Sequence, residues 1–313
     1  MKTLLSQRPL RTISVLLAAC IYAFTADGKA GISAVDAEGA DTVTTDSINR
    51  MASDPDFIHV SLLTVTPGKE VYSAYGHVAL RMECPTKQLD YCFTFEMGIS
   101  PDQQLRYMIG KAKAGFAAAH TNAFLEQYKT AGRGVTAYRL NLMPHEEQTL
   151  WRLLDEEMGR GLRWDFDVTE NNCTSMTTWI VTQALDDGAR IAYHNLPKAL
   201  AEGSYVDIID LCSTNAPWTG LFWKARIGTK GWEHGDVEKM MMPMLMGAAW
   251  QHATIESTTG LNRQLVTGEP TTLLPATATT SAPLITPTIA AMLLMTILTL
   301  ITIALHFKHK RTE

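Results

Sequence analysis

From Ile285 to Phe307 the chain contains no Asp, Glu, Lys or Arg. About 20 apolar residues in helical form cross a bilayer, where every backbone polar group must be satisfied inside the segment. Lys308, Lys310 and Arg311 follow at once, with His306 and His309 among them. A buried core helix is the other reading of such a run, but the terminal position and the basic stop favour a transmembrane helix over 285–307. Cationic loops stay on the cytoplasmic side, so residues 308–313 read as a cytoplasmic tail and everything before Ile285 as extracytoplasmic. The N-terminus points the same way. Lys2, Arg8 and Arg11 precede the apolar run Ile13 to Ala26, which reads as a signal sequence over 1–26. Leu17-Ala-Ala-Cys20 has the form of a lipobox; an ordinary apolar h-region that contains a cysteine fits equally well.

Between these ends lies enough chain for one large or two small domains. Apolar residues make up 46% and charged residues 19% of the 313, so a sizeable core is affordable. The net charge of −5 gives no reason to expect nucleic acid as a partner. No Gly-rich phosphate loop, zinc motif or internal repeat stands out, and His59, His120 and His145 have no metal-site spacing, so neither cofactor nor metal is expected. Residues 27–56 are rich in Ala, Asp, Thr and Gly without periodicity and read as a flexible tether. The folded domain is expected over 57–270, and the Thr-, Ala- and Pro-rich residues 271–284 as a stalk before the membrane.

Strands are expected at Ile58–Val65, His77–Met82, Tyr91–Met97 and Val135–Leu142 from their alternation. Helices are expected over Pro101–Phe116 and from Pro144 to about Gly159, the latter with Pro at its first position and early Glu146 and Glu147. Five methionines, Met240, Met241, Met242, Met244 and Met246, surround Pro243. They suit ordinary core packing, or an adaptable lipid-facing surface.

The chemistry is concentrated in Glu170-Asn-Asn-Cys173-Thr-Ser. Trp179, Ile180, Ala184 and Leu185 recur at helical spacing after it, which places Cys173 at a helix N-terminus. There the unpaired amides and the helix dipole favour thiolate over thiol. A base is still required, and the best candidate is His77, which opens an alternating strand in Tyr72-Ser-Ala-Tyr-Gly-His77-Val-Ala-Leu-Arg81. Tyr75 and Arg81 flank it as candidate substrate-binding residues. Asn172 is a candidate for orienting backbone at the helix start, or a simple cap. Cys84 and Cys92 flank a turn-like segment and are placed for a disulfide across a hairpin. For Cys173, a disulfide with Cys212 stands as the alternative to a reactive thiol.

The words Val60-Ser-Leu-Leu-Thr-Val-Thr-Pro-Gly-Lys-Glu-Val-Tyr-Ser-Ala-Tyr-Gly-His77-Val-Ala-Leu-Arg81 and Asn171-Asn-Cys173-Thr-Ser resemble the Lnb N-terminal periplasmic domain family of bacteria. Phe95-Glu-Met-Gly98, Gly132-Arg-Gly-Val135 and Leu140-Asn-Leu142 also fall where family elements would, and the resemblance runs from about Phe57 to Leu265. It implies an α+β, permuted papain-like (NlpC-like) domain with an antiparallel sheet and the cysteine on a helix N-terminus. It further implies a lipoprotein transacylase on the outer side of a bacterial membrane, with Cys173 as nucleophile and His77 as base. Its substrate would be the acyl ester of a lipoprotein or lipid. Glu96 stands near the family's polar strand position and is the expected third catalytic member, although Met97 replaces the tyrosine usual before Gly98. Family members often carry several spans, where this chain shows one. A cell-envelope cysteine hydrolase and a non-catalytic binding module on the same fold are the competing functions.

Overall fold

A computed structural model describes residues 58–97, 101–186, 188–238, 242–257, 262–278 and 281–310. The expected signal sequence, the lipobox cysteine and the tether lie outside these. Among the described residues the centre is a seven-stranded antiparallel sheet in the order β10-β5-β1-β2-β3-β4-β6. Its strands are β1 His59–Val65, β2 His77–Cys84, β3 Leu89–Met97, β4 Lys113–His120, β5 Val135–Arg139, β6 Trp164–Asp165 and β10 Thr271–Leu274. A small second sheet is formed by β7 Arg190–Ala192, β8 Thr254–Glu256 and β9 Arg263–Gln264.

Strand alternation sends side chains to two different cores. Val60, Leu62, Val78, Leu80, Phe93 and Phe95 pack on one face. They meet Leu150, Trp151 and Leu154 of α3 Pro144–Arg160, which follows α1 Pro101–Met108 and α2 Thr121–Thr130. Ile180 of α4 Cys173–Ala184 joins this core. So does Trp250 of α8 Pro243–Gln251, which follows α5 Lys198–Ala201, α6 Tyr205–Cys212 and α7 Pro217–Ile227. On the other face Leu63, Val65, Ala79, Cys92 and Val135 pack against Phe124 and Tyr128 of α2. A third apolar cluster gathers Tyr75, Tyr107, Ile209, Trp223 and Met242. Met242 and Met246 are buried and Met244 is exposed, so the methionine segment serves packing at the two positions that face inward.

The strands read from alternation are present, and the domain is α+β with antiparallel sheets. Four expectations are corrected. The helix expected to run to Phe116 stops at Met108, and Lys113–His120 is a strand despite its alanines. Pairing of this segment with β3 outweighs the weak strand preference of alanine. The stalk begins later than expected, because Thr271–Leu274 pairs with β5 as the edge strand. Cys84 and Cys92 are not joined to each other. Cys84 is opposite Leu89 and Cys92 opposite Arg81, and the two sulfurs belong to the cores on opposite sheet faces, so no bridge connects them. Trp179 turns outward from α4 and meets the edge of the Trp164 ring instead of packing inward.

After β10 the chain passes Gly132, whose carbonyl accepts from the Thr277 and Ala278 amides. It then enters the apolar helix α9 Pro287–Lys310, long and apolar enough to span a membrane, with none of its residues buried. Trp218 Nε1 of α7 donates to Ile285 O at 2.8 Å and fixes the entry to that helix.

Candidate active site

One end of the sheet collects the C-terminus of β1, the N-terminus of β2, the C-terminus of β3 and the N-terminus of β5. Pairing between β2 and β3 stops at Ala79–Thr94, while β3 continues along β4 as far as Met97–Ala114. The two strands therefore part beside His77 and Val78, and the Val78 amide is released from the ladder. The Cys173 sulfur occupies this opening, where the Val78 N–H donates to it. Gly76 makes the entry to β2 possible. Its φ is +94°, and a Cβ there would lie 2.5 Å from the Val65 carbonyl oxygen, which explains the glycine ahead of His77.

The start of α4 is rigidly held. Asn172 Oδ1 accepts the Thr174 and Ser175 amides at 3.0 Å each, and its Nδ2 donates to Val168 O at 2.9 Å. Ser175 Oγ accepts the Asn172 amide at 3.0 Å and closes the capping box. The Asn172 side chain therefore caps α4 through Oδ1 and ties it to Val168 through Nδ2. The remaining first-turn amide, that of Cys173, is directed at its own sulfur.

Both central groups keep part of their surface open while crowded by protein. Burial pushes the Cys173 thiol up to about 11, and the three backbone amides and the nearby Arg133 charge oppose this without overcoming it. The expected acidification by the helix terminus is thus outweighed by desolvation. Burial lowers His77 to about 3, and the charge of Arg133 pushes in the same direction. At these values the thiol and the imidazole are both neutral near pH 7, and each lies far from the operating pH at which an acid–base group is most effective. Nε2 of His77 is engaged by Thr94 Oγ1 on β3; in the tautomer in which Nε2–H donates to that hydroxyl, Nδ1 keeps a free lone pair.

The other expected site residues are placed differently. Glu96 extends to the sheet end on the face shared by His77 and Thr94, with its carboxyl raised to about 6 by burial. The His77 ring is oriented by Thr94 instead. Tyr75 is buried in the third cluster, where its hydroxyl meets Ser213 Oγ at 2.9 Å. Arg81 lies four residues along β2 and is held by Asp90 at 2.7 Å and Glu83 at 2.6 Å. It serves the strand surface, away from the opening. Cys212 is free and buried in α6, so it does not bridge to Cys173.

Two residues at this end escaped the sequence reading. Thr94 carries no motif, and only the strand register reveals its partner. Arg133 lay inside the noted Gly132-Arg-Gly-Val135 words but had no assigned role. Its guanidinium is stacked on the Tyr128 ring at 4.9 Å, and Nε donates to Thr66 O at 2.7 Å. Its charge acts on both Cys173 and His77.

Among the described residues, His145, Glu146 and Asp186 approach one another elsewhere, where Arg263 Nη2 reaches Glu146 Oε1 at 2.6 Å and neutralises the carboxylate. No curated protein and no solved structure matches the chain. Residues 44–202, half of the sequence, match the Lnb N-terminal periplasmic domain and include both the Gly-His and the Asn-Cys segments. With its periplasmic domain and one candidate C-terminal span, the chain fits a single-pass membrane protein and belongs to the Lnb N-terminal periplasmic domain family.

Proposed function

We propose that the protein is a membrane-anchored extracytoplasmic thiol acyltransferase that moves an acyl chain within or onto lipoproteins. The observation that carries this reading is the seat of the Cys173 sulfur on the Val78 amide, one residue from His77, in the gap between β2 and β3. The sulfur attacks an ester carbonyl, and its proton passes to Nδ1 of His77. Collapse of the tetrahedral intermediate breaks the ester bond, and His77 returns the proton to the departing alkoxide. The resulting Cys173 thioester is then opened by an amine, which forms an amide and regenerates the thiol. The permuted papain-like order, with the histidine strand before the cysteine helix, is the architecture this reading assumes.

Incubation with a soluble acyl ester followed by intact-mass measurement tests the first half. Wild type is expected to gain one acyl group, and Cys173→Ala none. Lipoproteins from a deletion strain are expected to lose the amide-linked acyl group on their N-terminal cysteine, read from N-terminal fragment ions because transfer within one lipoprotein leaves its total mass unchanged. A thioester that forms while the N-terminal amide acylation of lipoproteins stays unchanged would move the assignment to a cell-envelope hydrolase. No adduct on wild type would leave a non-catalytic binding module.

A further inference from the structure

The Arg133 guanidinium is incompletely used. Nε is bound to Thr66 O and the plane lies on Tyr128, but Nη2 is closed off from solvent without a hydrogen-bond acceptor among the described residues. The charge of Glu70 reaches Arg133, yet the Glu70 carboxylate is turned to Ser73 Oγ. Arg133 precedes β5 at the same sheet end as His77, because Val65 pairs with both His77 and Val135. A buried cationic donor without an acceptor is unfavourable in the resting protein and calls for an explanation. Meanwhile the start of α4 is short of donors for a developing negative charge. Asn172 Oδ1 already holds the Thr174 and Ser175 amides, so the Cys173 amide is the helix donor that remains.

We propose that Arg133 is a catalytic residue: its Nη2 and the Cys173 amide together bind the oxygen of the acyl carbonyl as attack by sulfur makes that oxygen negative. The assignment rests on the acyl-transfer reading and names its second oxyanion donor. In the step, the C–S bond forms and the carbonyl π pair moves onto oxygen. The thiol proton goes to His77 Nδ1, and Arg133 donates a hydrogen bond without losing a proton. The same oxygen turns negative again when an amine attacks the thioester, so both halves of the transfer use the residue. An interaction made only as charge appears raises the rate of the chemical step more than substrate affinity.

The test compares two reactions of Cys173 in the full-length protein in detergent. Acylation by a soluble acyl ester passes through an oxyanion, whereas alkylation by iodoacetamide does not. Arg133→Gln is expected to slow single-turnover acylation about 100-fold or more. Alkylation is expected to slow by less than about tenfold, the effect of one pKa unit on the thiol. Arg133→Ala is expected to regain acylation when ethylguanidinium is added. If Arg133→Gln unfolds, Arg133→Lys decides, with the same contrast between acylation and alkylation expected in a folded protein. Equal losses in both reactions would overturn the assignment, since Arg133 would then act on the thiol alone. Wild-type acylation rates in the folded variants would overturn it too. A wild-type chain that never becomes acylated would instead remove the acyl-transfer reading itself, and Arg133's role with it.

Discussion

At the scale of the residue, His77 is poised by what surrounds it. Its pKa is lowered from 6.5 to about 3. Between those values an unfolded chain holds a proton that the folded chain does not. This group therefore leaves stability intact above about pH 6.5 and subtracts from it as pH falls toward 3. His77→Gln is expected to flatten that acid slope, as read from urea midpoints at about pH 4 and about pH 8. An unchanged slope would mean that the imidazole is freely solvated. The candidate residues Cys173 and His77 were legible in the sequence because each sits in a short motif with a backbone reason, a cap before Cys173 and a positive-φ glycine before His77. Thr94 and Arg133 were not. Their roles come from which side chains a strand register and a loop place together, and neither leaves a local pattern. Glu96 drew its catalytic reading as a carboxylate near the right strand position, while the contact the structure shows on the imidazole comes from a hydroxyl two residues earlier.

At the scale of the element, α3 shows how buried charge can be made tolerable. Glu146 is fully buried at the start of α3, accepts the Met143 amide at 2.7 Å and is paired with Arg263 of β9. The pair joins the helix to the small second sheet. Arg263→Met is expected to strand the carboxylate and cost about 3–5 kcal/mol, measurable as a fall in the denaturant midpoint. Glu146→Gln in the same background is expected to recover part of the loss. The sequence marked α3 clearly, through Pro144 and its acidic first turn, but could not show that one of those acids is a buried partner instead of a dipole-facing surface group. Elements also mislead where composition and environment disagree. β4 is written in alanines and a glycine, so its strand state comes from β3 and β6 on either side. A Cβ on Gly115 would lie 2.7 Å from the Gly161 carbonyl oxygen, which shows how closely the chain packs there.

At the scale of the whole molecule, the edge strand and the span are consecutive. β10 ends beside Val135, and the Thr277 and Ala278 amides bond to Gly132 O, next to Arg133. The chain therefore leaves the sheet at the end that holds the candidate site. From Ala278 to Pro287 nine residue steps reach at most about 30 Å, and the Trp218–Ile285 bond shortens the effective tether. A flexible Gly/Ser insertion of about 20 residues between Ser281 and Pro283 is expected to reduce turnover of a vesicle-embedded acyl donor at least several-fold. Acylation by a soluble ester is expected to stay unchanged. Equal rates on the vesicle donor would mean that the distance of the domain from the membrane is immaterial. The span itself and its basic stop were plain in the sequence. That the domain's final strand delivers the chain toward this helix from the end that holds the candidate site was not, because it depends on the side of the sheet at which β10 terminates.

The short passage from sheet edge to span also alters what recognition has to accomplish. On the acyl-transfer reading, a domain tethered this near a lipid surface would meet its donor in two dimensions, at a local concentration set by membrane area instead of cell volume. Weak individual capture then suffices, and selectivity can reside in which ester reaches the gap between two parting strands.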